Sequence, residues 1–176
     1  MKRLVLLLVA ACALAGCVTL NQGGNAPVAP NEAWALLPFV NNTETPYAGE
    51  RAESITAALL YSRGVQRLER YGAEAKPDET AMDRGERRQA EALAWAKQKK
   101  VRYALAGTVN EWRYKVGLDG EPVAAIALQL IELPEGKVVW SGTAGKSGWS
   151  RDAVSSVGQQ VLDCLLEKML VEKAGK

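Results

Sequence analysis

The chain contains no histidine among its 176 residues. That absence removes the commonest general base and the commonest metal ligand at neutral pH. No G-x-S-x-G or S-x-x-K spacing marks a serine nucleophile. Carboxylates are scattered. Glu50 and Glu53 read as a solvated helix face, although a glycosidase-type pair stays open on sequence alone. The phosphate-loop lookalike AGKS, at 144–147, fails as well. A phosphate cradle needs a glycine five residues before Gly145, and that position is Trp140. The sequence therefore points away from an enzyme, and no cofactor or metal is expected.

Cysteine is scarce, and its placement is informative. Cys12 lies in the apolar run LVLLLVAACALA, at 4–15, which is too short and wrongly flanked for a permanent membrane span. Lys2 and Arg3 precede the run and LAGC, at 14–17, ends it, which is the pattern of a secretory signal. Leu14-Ala15-Gly16-Cys17 resembles the bacterial lipobox, so residues 1–16 are expected to be removed and Cys17 lipidated. Residue 18 is Val rather than the Asp that holds such proteins at the inner membrane, and the expected address is the outer membrane. Only Cys164 then remains, leaving no internal disulfide in an oxidising compartment. It lies among Val157, Val161, Leu165 and Met169 at helical spacing and reads as a buried thiol.

Charge of one sign is missing too. Without Lys2 and Arg3, the 22 basic side chains become 20 against 20 acidic ones, and the 160 residues from Cys17 onward are formally neutral. Nothing in that balance suggests a nucleic-acid partner. Residues 18–33, VTLNQGGNAPVAPNEA, are small, polar and interrupted by proline, so 17–33 reads as lipidated cysteine plus flexible tether. About 16 residues span at most ~55 Å when fully extended.

Residues 34–176 supply enough chain for a single domain with a core. WALLPFVN predicts a buried strand at 34–41. ERAESITAALLYSRG predicts a helix with Ile55, Ala58 and Leu59 on its stripe, closed by Gly64. VQRLER predicts a short strand, 72–81 a charged loop, and DRGERRQAEALAWAKQKK a helix with basic residues in its last turn. Three strands follow at 103–115, 123–133 and 137–145, joined at Asp119-Gly120 and Pro134-Glu135-Gly136. The middle strand is apolar on both faces, as a covered central strand should be. A long helix closes the chain, with Ser150 as its N-cap and Asp152 at its positive end. The order β-α-β-α-β-β-β-α predicts one α+β domain, a mixed sheet of about five strands packed with three helices.

Two segments carry a resemblance. LPFVNNTETP, leading into a helix, is similar to the periplasmic lipoproteins related to the curli secretion channel and the amino-terminal domain of TolB. VVWSGTAGKSGWSR, ahead of the last helix, resembles the PelC lipoproteins within that superfamily. The curli-channel branch carries extra hairpins that build a barrel, and this chain has no room for them. The lipoprotein activators of penicillin-binding proteins, which stimulate peptidoglycan synthases, are the alternative. They usually carry a longer proline-rich tether.

The PelC resemblance implies a non-enzymatic lipoprotein that forms a ring, a dodecamer, on the periplasmic face of the outer membrane. It implies as partners the channel protein PelB, the cationic Pel exopolysaccharide and outer-membrane lipid. An acidic lumen would guide the polymer, and Asp119, Glu121 and Glu111 are the candidates here, each also readable as an ordinary loop acid. Trp149 has two readings. It can be a hydrophobic staple on the first turn of the last helix. Alternatively it contacts the membrane, with Lys146 and Arg151 meeting lipid phosphates. The resemblance favours the second, since the equivalent PelC tryptophan is thought to face lipid.

Overall fold

A computed structural model describes residues 19–24, 28–72, 81–117 and 120–170. Cys17 and Asp119 lie outside that set, as does most of the charged stretch expected to be a loop. Among the described residues the strands are β1 (Thr19–Gly23), β2 (Ala33–Leu36), β3 (Val40–Asn41), β4 (Arg67–Arg70), β5 (Tyr103–Tyr114), β6 (Pro122–Glu132) and β7 (Lys137–Ser147). The helices are α1 (Ala48–Ser62), α2 (Ala81–Gln98) and α3 (Val154–Leu170). The α+β class, the mixed sheet and the three helices are as the sequence predicts.

The strands form one open sheet in the order β1-β7-β6-β5-β2-β4, with β3 also paired to β5. Tight turns make β5, β6 and β7 an antiparallel meander, while the helical crossovers leave β2, β3 and β4 parallel to their neighbours. Alternation along the strands sends residues to two cores. Trp34, Leu36, Tyr103, Leu105, Ile126, Leu128 and Leu130 meet α1 and α3 on one face. Ala33, Ala35, Ala104, Ala106 and Ile131 meet Ala92 and Ala96 of α2 on the other. A bulge in β5 between Val109 and Glu111 shifts the side-chain parity, which lets Trp112 join Val109 in the larger core. There Gly158 of α3 makes room for it. A Cβ at Gly158 would stand 2.2 Å from the Trp112 ring.

Several sequence expectations are corrected. The single strand at 34–41 is two short ones, because Pro38 lacks an N–H and cannot continue a ladder. The buried stripe of α1 runs through Ala48, Ala52, Thr56 and Leu60, whereas Ile55 and Leu59 are half-buried and Ala58 is exposed. Thr56 is tolerated there because its hydroxyl donates to the carbonyl of Ala52 at 2.8 Å. Cys164 is half-buried rather than buried. β6 is covered on both faces only near its ends; Ala125 and Ala127 are half-buried and Gln129 is exposed. The stretch expected to be a flexible tether contributes β1, which pairs antiparallel with β7 at the edge of the sheet.

Candidate functional site

The site is built by strand register. Thr19 pairs with Gly145, Ala124 with Lys146 and Tyr114 with Pro122. One end of the sheet therefore gathers the start of β1, the end of β7, the start of β6 and the end of β5. The start of β1 is the route to Cys17, with only Val18 between Cys17 and Thr19. Trp149 stands two residues past β7 at that same end.

Trp149 is 72% exposed. Its backbone is held firmly while its ring is not. The Trp149 N–H donates to the Asp152 carboxylate at 2.8 Å, and the Asp152 N–H donates back to the Trp149 carbonyl at 2.9 Å. This reciprocal turn occupies the residues expected to start the last helix. α3 begins at Val154, so Ser150 is not its N-cap, and Asp152 serves the turn instead. The Val154 N–H is met by the Tyr114 hydroxyl at 3.3 Å. Gly148 is needed by close approach, since a Cβ there would lie 2.6 Å from Val157. The ring is thus presented outward by a rigid turn and is not folded onto α3 as a staple would be.

Other exposed side chains lie at the same end of the sheet. Tyr114 is 51% exposed and Val116, in the β5–β6 connection, is fully exposed. Tyr47, 69% exposed, follows β3 at the same end, because Val40 and Asn41 pair with Thr108 and Val109 of β5. Among the described residues, four of the six large exposed hydrophobics lie at this end; Tyr61 and Val138 lie at the opposite end. Sequence reasoning found Trp149 but missed Tyr114 and Val116, whose signal was an aromatic and an aliphatic flanking Lys115 at a hairpin tip.

The charged candidates divide. Lys146 is half-buried and Arg151 exposed, both beside Trp149. Glu111 pairs with Arg113 at 2.6 Å, and Glu121 pairs with Lys115 at 3.1 Å. The two described acids are therefore each matched by a neighbouring cation and do not form an unpaired acidic cluster. Such exposed pairs contribute about 0–1 kcal/mol apiece. Among the described residues no helix is long and apolar enough to cross a membrane.

This domain has a solved counterpart. The PelC dodecamer from Paraburkholderia phytofirmans shares 35% sequence identity and a TM-score of 0.74, over 89% of this chain and 100% of that one. The chain belongs to the PelC family. A variant of the same PelC dodecamer gives 36% identity and a TM-score of 0.72, covering 85% and 96% of the two chains. Lipoprotein GNA1162 from Neisseria meningitidis, at 19% identity and a TM-score of 0.55 over 80% and 99%, shares the fold. Neither protein-family models nor curated proteins give a match. Membership of the PelC family agrees with the resemblance in LPFVNNTETP and VVWSGTAGKSGWSR. The first segment now has a local explanation. The Asn41 side chain accepts from the N–H and hydroxyl of Thr43 and donates to the Thr45 carbonyl, and the Thr45 hydroxyl donates to the Trp112 carbonyl. That network closes the β3–α1 loop onto the sheet.

Proposed function

We propose that this chain is a non-catalytic lipoprotein, anchored through Cys17 to the periplasmic face of the outer membrane, where it assembles into a ring. The ring guides cationic Pel exopolysaccharide toward the outer-membrane channel protein PelB. The observation that carries this reading is the 35% identity, over 89% of the chain, to a protein solved as a dodecamer. A ring of identical subunits requires a heterologous contact that closes on itself, so the assembly state is directly measurable.

The same proposal gives the domain an orientation. The Trp149 end of the sheet rests on the membrane, with Lys146 and Arg151 toward lipid phosphates. The β1–β7 register supports it, because it brings the route to Cys17 to the end where Trp149, Tyr114 and Val116 are exposed. Asp119, Glu121 and Glu111 remain the proposed polymer-facing acids. Arg113 and Lys115 compete with the polymer for two of them.

The experiment is native mass spectrometry of the lipidated protein released from membranes, together with complementation of a strain whose Pel export is lost on deletion of its PelC. A closed oligomer and restored export are expected. A strict monomer that stimulates a peptidoglycan synthase would refute the ring and support the activator alternative.

A further inference from the structure

Beside β3 the sheet has a notch. β4 pairs only with β2, so among the described residues no strand occupies the outer edge of β3. The start of α1 and the first half of α2 close over this gap and leave a cleft of about 300 Å³, lined in part by Phe39, Glu44, Tyr47, Glu50 and Arg88. That volume lies at the small end of the range for small-molecule sites.

The cleft has an aromatic rim. Tyr47 is 69% exposed and sits at φ 61°. No other described non-glycine residue has positive φ. An L side chain in the left-handed region is disfavoured, and glycine would hold this backbone more cheaply. The turn does not require this ring, and its exposure leaves it accessible to a ligand. Behind it stand charges of both signs. A Glu50 carboxylate oxygen lies 4.0 Å from an Arg88 guanidinium nitrogen, and Glu44 carries a second carboxylate at the rim. The cleft opens from the β3–α1 loop, at the end of the sheet that also holds Trp149, Tyr114 and Val116.

We propose that this cleft receives the headgroup of a zwitterionic aminophospholipid. The inference rests on the reading that this end of the sheet faces the membrane. A phosphate and an ammonium joined by a short linker match adjacent opposite charges. Arg88 meets the phosphate, and Glu50 with Glu44 meets the ammonium, which also lies against the Tyr47 ring. A purely cationic sugar unit would gain the carboxylates but face Arg88 as a like charge, so the lipid is the better fit.

The test titrates the purified full chain with dihexanoyl phosphatidylethanolamine below its micelle concentration, and in parallel with dihexanoyl phosphatidic acid, which lacks the amine, and with a chitosan oligomer as a generic cationic sugar chain. Saturable binding of the ethanolamine lipid is expected. Tyr47→Gly should weaken it roughly tenfold while leaving thermal stability equal or higher, because glycine accepts the left-handed backbone. Glu50→Gln should weaken the ethanolamine lipid and not the phosphatidic acid. Wild-type binding by both variants, no saturable site, or displacement of the lipid by the oligomer overturns the proposal. Vesicle flotation of the same samples separates the two readings. If flotation depends on Trp149 but no headgroup site appears, the orientation stands and this inference falls.

Discussion

Two tryptophans in this domain should respond to alanine in opposite ways. Trp112 is fully buried, and Gly158 of α3 lies against its ring. Trp112→Ala should cost about 3–5 kcal/mol of folding stability, the usual penalty for emptying a core aromatic site. Trp149 is 72% exposed. A tryptophan that is fully covered buries up to ~250 Å², so roughly a quarter of that, ~70 Å², is covered here. At ~25 cal/mol per Å² this contributes at most about 2 kcal/mol. The uncovered remainder, ~180 Å², corresponds to about 4.5 kcal/mol if it enters an apolar phase, which is an upper bound for a ring at an interface. Trp149→Ala should therefore cost no more than about 2 kcal/mol in chemical denaturation, clearly less than Trp112→Ala. It should lower the vesicle partitioning of a soluble Cys17→Ser domain by tenfold or more, and impair export. Denaturation midpoints and vesicle co-sedimentation, run on both variants, decide it. A loss of several kcal/mol for Trp149→Ala, or unchanged partitioning and export, would refute the membrane-facing assignment.

The remaining predictions are narrower. Cys17→Ser should move the protein from the membrane to the soluble periplasmic fraction, because several acyl chains at about 0.8 kcal/mol per buried methylene supply the anchor; unchanged fractionation would place the anchor elsewhere. Gly158→Val should destabilise by about 1–3 kcal/mol or more, since its Cβ would meet the Trp112 ring at 2.2 Å and push α3 outward; a shift in the urea midpoint reads this out. Glu121→Gln and Glu111→Gln should change stability by less than about 1 kcal/mol, as exposed ion pairs do. If these acids guide a polycation, the double variant lowers export without altering assembly.

Legibility of the fold tracked side-chain signals. The β5–β6–β7 meander was readable because long runs of apolar residues are punctuated by glycine turns. β1 was not, because TLNQG carries no apolar period. It is a strand because its backbone satisfies the open edge of β7, a partner far away in the chain, with Thr19 opposite Gly145 and Gly23 opposite Ser141. Pro38 could have signalled the break between β2 and β3. The start of α3 was misplaced since Ser150 has cap chemistry, yet Asp152 binds the Trp149 N–H and delays the helix. The α1 stripe was displaced for a related reason. Gly49 lets the start of the helix approach the Phe39 carbonyl, where a Cβ would stand at 2.7 Å, and the small buried Ala48 and Ala52 follow on the same face, leaving the larger Ile55 and Leu59 on the flank. At the site, Trp149 stood out by its isolation between small residues. Tyr114, Val116 and Tyr47 share its end of the sheet only through register, which local sequence does not encode.

Strand β1 also changes the mechanics of anchoring. A tether of some 16 residues would let the domain drift tens of ångströms from the bilayer. With Thr19 already locked to Gly145, only Val18 separates the sheet from Cys17, a reach of about 7 Å at full extension. On the proposed lipidation of Cys17, the lipid would act less as a leash than as a fixed corner. An end of the sheet so attached would stay within contact distance of the headgroups, and its exposed aromatics would need little further ordering to bind. In the proposed ring, each subunit would add one such corner and one Trp149, and the weak interfacial affinity of each indole would combine through effective concentration. Under that proposal the arrangement would contribute orientation rather than affinity: a leash alone leaves a domain free to tumble, whereas a corner plus an aromatic contact would fix which end of every subunit faces the membrane.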